Sequence, residues 1–306
     1  MVRAVEHGTI AMYVLFLYTM FGIHVSKSSK IGDGAAHKTI LAAIQDAHAK
    51  LRINAVAIYT HGPRRTTASA MPYATIAEYC AANGIYLCVH SSYLSVGVWR
   101  NPASKLEHIA DQIIATRALG GAGLVLHLPK ASVGVIVDGM REIAERMSTI
   151  DDAPMLILEM PASRPDESTY ETPTKLAALV SALDAADLPI RWGMCIDTAH
   201  QWSCGVPLTT KNHWDSWIDQ CGEAVRRRIA LIHLNGAELA NFGRGKDVHM
   251  IATSAADAIW HTDRSGLEAL CAWAKKGGVP LICEINVGEY RDSLALLDRL
   301  RSLLGS

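Results

Sequence analysis

The seven cysteines of this 306-residue chain include no CxxC pair and no zinc-finger spacing. Their absence argues against a finger module and against a disulfide framework, so a reducing compartment is expected, cytoplasmic or nuclear/nucleoid. Charge is scarce too. Only 19% of residues are charged while half are hydrophobic, a balance that leaves no room for extensive disorder. The formal net charge of −1 argues against nucleic-acid binding by bulk electrostatics. It does not exclude a metal-charged site, because two or three divalent ions at one mouth supply local positive charge. A spanning helix needs about 20 apolar residues, and the apolar stretch Ile10–Ile23 falls short of that. Nor does a small-residue cleavage site follow it, as a signal peptide would require. It passes straight into Gly22-Ile23-His24-Val25-Ser26. The expectation is a short apolar extension over residues 1–19, one domain over 20–306, and no membrane association.

What the chain does contain is an alternation without linkers or internal repeats. Strand-like runs lie at Met20–Val25, Ala55–Tyr59, Ile85–His90, Gly123–Leu128, Met155–Met160, Ile190–Asp197, Ile229–Leu234 and Pro280–Ile285. Helix-like segments follow them at Gly34–Leu51, Tyr73–Ala82, Ala103–Leu119, Val133–Met147, Thr172–Leu183, His213–Arg227, Ser265–Lys276 and Asp292–Leu304. Alternating units imply a parallel sheet, and eight of them favour closure, giving an α/β fold of the (β/α)8 TIM-barrel type. Gly84, Gly120 and Gly277 are expected to close helices. The insertion Gly236–Asp263 is long, and long loops in compact domains usually serve function.

The strand ends carry the chemistry. Apolar runs finish on His90, His127, Glu159, His233 and Glu284, and a sixth ends in Asp197-Thr198-Ala199-His200. The long insertion adds Asp247 and His249. A buried strand gains nothing from ending in an unpaired polar group, which costs kilocalories. Alone, each residue has an ordinary explanation as a satisfied core histidine or an ion-paired carboxylate. Repeated at six strand ends, the pattern is that of a barrel's catalytic mouth. Five imidazoles and four carboxylates suit zinc, or manganese, better than magnesium or calcium. Nine ligands exceed what one tetrahedral ion uses, and a bridging carboxylate would let them serve two or three ions suited to phosphoryl chemistry.

Several segments resemble the endonuclease IV family: Gly22-Ile23-His24-Val25-Ser26, His90-Ser91-Ser92-Tyr93-Leu94, Cys195-Ile196-Asp197-Thr198-Ala199-His200, His233-Leu234-Asn235, Asp247-Val248-His249 and Leu281-Ile282-Cys283-Glu284-Ile285-Asn286. The resemblance spans roughly residues 20–300. It implies a (β/α)8 apurinic/apyrimidinic endonuclease with three zinc ions, cutting the phosphodiester 5′ to abasic sites in double-stranded DNA and leaving a 3′-hydroxyl. It further implies that His90, His127 and Glu159 hold the first ion. Glu159 bridges to a second, held with Asp197, His233 and Glu284, while His200, Asp247 and His249 hold the third. Glu159 and Glu284 are the expected catalytic carboxylates, and the protein is expected to act as a monomer.

The departures from the family fall on recognition. Its loop after the second strand, rich in Asn, Gln and Arg, is here Thr60-His61-Gly62-Pro63-Arg64-Arg65-Thr66-Thr67. Arg64 and Arg65, with Arg244 and Lys246, are the basic loop residues expected to contact phosphate, and Tyr93 matches a position that reaches DNA. Ser91 stands where Asp is common, Gly236 replaces an Asp, and Met250–Ser254 replaces a glycine-rich stretch. His24 matches the first-strand motif without a ligand role. The alternative is a single-metal sugar isomerase or epimerase of the xylose-isomerase-like barrels, built on Glu159, Asp197, His233 and Glu284.

Overall fold

Short runs rich in Val, Ile and Leu become strands because such side chains pack well on a pleated surface covered on both faces. In the computed structural model, which describes residues 20–31, 36–102, 105–166, 168–284 and 290–305, eight of them form one sheet. They are β1 (Phe21–His24), β2 (Ala55–Tyr59), β3 (Tyr86–His90), β4 (Gly123–His127), β5 (Met155–Glu159), β6 (Trp192–Asp197), β7 (Ile229–His233) and β8 (Leu281–Cys283). Neighbours pair in parallel in sequence order, and β8 returns to β1 to close the barrel. The extension 1–19, the helix starts at Gly34 and Ala103, and Ile285-Asn286 lie outside the described residues.

Helices cover the barrel: α1 (Ile40–Leu51), α2 (Tyr73–Ala82), α3 (Leu106–Ala118), α4 (Val133–Met147) and α5 (Pro173–Ala185), then α6 (Thr198–Ser203), α7 (Lys211–Gln220) and α8 (Gly222–Arg228) between β6 and β7. α9 (Ser265–Gly277) and α10 (Tyr290–Leu304) complete the ring. In α1, Ile40, Ala43, Ile44, Ala47 and Leu51 are buried, the one-face spacing of an amphipathic helix. Two expectations need correction. The helix foreseen over His213–Arg227 is broken at Gly222, whose φ of +74° cannot continue a right-handed helix. α9 closes on Gly278, at φ +65°, and not on Gly277, because only the residue in the left-handed region needs glycine.

Two layers of core result. The larger lies between strands and helices. A small plug fills the barrel interior: Ala55, Ala57, Cys88, Val125, Ile157, Cys195, Leu231 and Ile282. All seven cysteines are buried free thiols. No helix among the described residues is long and apolar enough to cross a membrane.

Candidate metal centre

Side chains alternate across a strand, so the residue two positions beyond each plug residue also points inward, one layer nearer the C-terminal mouth. That layer reads Tyr59 after Ala57, His90 after Cys88, His127 after Val125, Glu159 after Ile157, Asp197 after Cys195, His233 after Leu231 and Glu284 after Ile282. The last described residue of β1, His24, completes the ring. Every strand therefore contributes one polar or aromatic side chain to the mouth, at heights that step with the strand register. The sequence pattern marked six of these eight. Tyr59 carries no ligand chemistry, and only closure of the barrel shows that it shares the layer: its ring lies 4.6 Å from that of His24 and 5.1 Å from that of His90.

Glu159 sits at the middle, wholly buried. Its Oε2 lies 3.1 Å from His90 Nε2 and 2.8 Å from His127 Nε2. Its Oε1 faces the other way, 2.8 Å from His233 Nδ1. That same nitrogen is 3.5 Å from Glu284 Oε2 and 3.8 Å from Asp197 Oδ2. A second triad adjoins it, with His249 Nε2 3.7 Å from Asp197 Oδ2: His200 Nε2 to Asp247 Oδ1 is 3.2 Å, His249 Nε2 to Asp247 Oδ1 is 2.9 Å, and the two imidazole nitrogens are 3.4 Å apart. Donors around a tetrahedral zinc at 2.0–2.1 Å stand roughly 3.3 Å from one another. The triad has the spacing of three ligands to one ion.

Local structure aims these donors. Asp197 caps α6, its Oδ1 accepting from the His200 N–H at 2.8 Å, and this curls His200 over the mouth. Its Oδ2 accepts from Asn235 Nδ2 at 2.6 Å. Asn235 also donates to Glu284 Oε2 at 3.2 Å and accepts from the Glu284 N–H at 2.9 Å, so one amide orients two carboxylates. The sequence placed Asn235 in a motif but assigned it no task. His90 Nδ1 donates to the Ser91 carbonyl at 2.9 Å and His200 Nδ1 to the Met160 carbonyl at 2.7 Å. Each bond leaves Nε2 turned to the cluster, the usual arrangement behind a metal-binding histidine.

The electrostatics fit a cation. Burial opposes charge on His200, yet the Asp197 and Asp247 carboxylates hold its pKa well above the ordinary imidazole value. Burial likewise opposes His249, which Asp197 and Asp247 push up to about 9. Glu159 is driven well below the usual carboxylate range by His127 and His233, against its own desolvation. Glu284 follows for the same reason, through His233 and His24. Buried carboxylates that stay anionic demand counter-charge, and divalent ions would take over that task from imidazolium protons.

The insertion carrying Asp247 and His249 is fastened from below. Gly236 and Met250 exchange two backbone hydrogen bonds, at 2.8 and 3.0 Å, immediately before and after the segment they bracket. Asp257, 2% exposed, accepts from the backbone N–H groups of Ala237, Thr253, Ile259 and Trp260. Sequence reasoning passed over Asp257, since nothing in a polar loop separates a buried anchor from a solvated Asp. Tyr93 reaches the mouth, its ring 5.3 Å from that of His127, with 40% of the residue exposed. Arg64 and Arg65 are exposed on the loop after β2 and form no ion pair with a described residue.

Fold and site together define a (β/α)8 barrel whose mouth gathers nine metal-competent side chains. The sequence profile of the xylose isomerase-like TIM barrel family matches residues 46–300, and the chain belongs to that family. A "Probable AP endonuclease" of African swine fever virus is 25% identical over 241 residues, covering 76% of this chain and 78% of that protein. A "Probable endonuclease 4" of Methanoculleus marisnigri is 28% identical over 241 residues, covering 74% and 80%. The AsfvAP:AG crystal structure shares the fold at a TM-score of 0.82 and 24% identity, over 94% of this chain and 99% of that one.

Proposed function

We propose that this chain is a zinc-dependent apurinic/apyrimidinic endonuclease, a hydrolase of base-excision repair that cuts the phosphodiester 5′ to abasic sites in double-stranded DNA. The observation that carries the reading is Glu159, with one oxygen turned to His90 and His127 and the other to His233. A single-ion site has no use for such a bridge. His90, His127 and Glu159 would hold one ion; Glu159, Asp197, His233 and Glu284 a second; His200, Asp247 and His249 a third. The names borne by the relatives point to the same activity.

Zinc suits this donor set, with manganese as the substitute, and divalent ions held here would supply Lewis acidity and acidify water. The residues do the rest. Glu159 and Glu284 are the catalytic carboxylates. Glu159, with one oxygen toward His90 and His127 and the other toward His233, would screen two cations from each other. Glu284 spans the gap between His24, 3.8 Å from its Oε1, and His249, 3.3 Å from its Oε2. Tyr93, Arg64 and Arg65 meet the DNA. The protein acts as a monomer in a reducing compartment, cytoplasm or nucleus/nucleoid.

Glu159, Asp197, His233 and Glu284 do offer ligand atoms within 4.8 Å of one another, which is the quartet a sugar isomerase would use. That reading leaves His90, His127, His200, Asp247 and His249 unemployed. Elemental analysis joined to incubation with a duplex holding one abasic site separates the two. About three zinc ions per chain and a product ending in a 3′-hydroxyl are expected. One ion per chain with turnover of a sugar and an uncut duplex would overturn the proposal.

A further inference from the structure

Of the seven large hydrophobic residues exposed among the described residues, five sit on two mouth loops. Tyr93 and Leu94 open the 3-10 turn after β3, while Leu239, Phe242 and Val248 belong to the insertion after β7. In an eight-stranded barrel closed in sequence order, β3 and β7 lie diametrically opposite. The candidate metal centre thus lies between two loops that each expose apolar residues. Exposed apolar residues scattered singly need no explanation, but clusters framing a catalytic mouth mark contact with a partner.

Leu239 is 73% exposed, yet its turn is firmly held. Trp202 Nε1 donates to the Glu238 carbonyl at 3.0 Å, and the Phe242 ring meets Trp202 edge-on with centroids 4.5 Å apart. The N–H of Gly243 bonds the Trp202 carbonyl at 3.1 Å and that of Gly245 the Ser203 carbonyl at 2.9 Å. Trp202 lies on α6 two residues beyond His200, so the tip is coupled to a candidate ligand. Arg244 and Lys246 follow the tip in the chain, and Arg164 Nε donates to the Arg244 carbonyl at 3.4 Å; all three cations are exposed and without an ion pair among the described residues. Free cations beside an apolar tip complement a polyanion that also offers stacked apolar faces. Exposed Glu238 next to Leu239 repels phosphate, so the tip itself meets bases and the cations meet backbone.

We infer that Leu239 is an apolar wedge for duplex DNA, entering a base step across the metal centre from Tyr93 and Leu94 while Arg164, Arg244 and Lys246 take phosphates. The inference rests on the endonuclease reading. Apolar wedges that partly unstack a step and exchange that cost for a wider interface are an established device.

The test uses the metal-loaded protein and a duplex with one abasic site, a non-cleavable analogue at the scissile phosphate, and 2-aminopurine placed on either side of the site. Parent protein should raise the fluorescence on both sides. Leu239→Ala should lose the rise on one side only and raise KM for cleavable duplex about tenfold, as expected when one hot-spot side chain is truncated. Its kcat and zinc content should match the parent. Fluorescence and KM equal to the parent would overturn the wedge. A parent that binds duplex without cutting it overturns the enzymatic reading alone, and the fluorescence still decides the wedge. A parent that does not bind duplex overturns both.

Discussion

The carboxylate of Asp257 occupies the space a side chain on Gly236 would need: a Cβ built there lies 2.7 Å from both Cγ and Oδ1 of Asp257. Glycine at 236, a departure from the family it resembles, is thus matched by a buried acid twenty-one positions on. Asp257→Ala strips acceptors from four backbone N–H groups at once and should cost roughly 2–4 kcal/mol, loosening the segment that carries Asp247 and His249. Gly236→Ala should cost about 1–3 kcal/mol through overpacking. Urea melts with parallel zinc analysis check both. A Gly236→Ala melt superposing on the parent would show that the two residues are not tightly packed.

Glu159→Gln keeps volume but removes the charge that the proposed site would share between two ions. Cleavage of abasic duplex should fall by about a thousandfold, equivalent to roughly 4 kcal/mol, while far-ultraviolet circular dichroism is unchanged. Near-parental turnover would reduce Glu159 to a structural carboxylate.

Arg64 and Arg65 are the cations of the β2 loop, and neither has an ion-pair partner among the described residues. Replacing both with Ala should weaken duplex binding and lower the salt slope by about one unit for each phosphate no longer neutralised, with zinc content unchanged. The difference should shrink at high salt, where screening has removed what the charges supply. Coincident binding curves at low salt would mean the loop does not touch DNA.

Beneath that loop, the rings of His61 and His108 lie 5.3 Å apart, nearly perpendicular, with Thr60 Oγ1 3.0 Å from His61 Nδ1. Burial lowers both pKa values below 6.5; His108 adds to the effect at His61 and Lys105 to that at His108, while Asp111 opposes both. With folded values depressed, the unfolded chain takes protons first. Stability is complete above 6.5 and is lost as pH falls through the folded values. The melting temperature should therefore drop on the acid side, and His108→Gln should flatten that drop. Profiles of equal slope down to about pH 5 would remove this pair from the acid response.

Much of the site was readable because strand-end chemistry is local. His90, His127, Glu159 and His233 each close an apolar run, and the two-residue period carries them onto the inner face with Cys88, Val125, Ile157 and Leu231. Asp197 and His200 stood out as two ligand types three apart at one strand end, while the cap that Asp197 gives α6 came only from the structure. The helix break at Gly222 was less legible, because a glycine inside a polar helical pattern signals only a weaker helix until its φ is known.

By itself, then, the sequence determined the alternation of strands and helices, the closed parallel sheet that eight such units favour, and the identity of the nine candidate ligands. Periodicity and donor chemistry depend on neighbours a few residues away. Tertiary structure alone decided that His24 and Tyr59 join the ligand layer, that Asn235 steers Asp197 and Glu284, and that Asp257 sits where Gly236 leaves room. It also set the tips of β3 and β7 across one mouth. Each of these relations joins residues far apart in the chain, and barrel closure is what brings such residues to the same point.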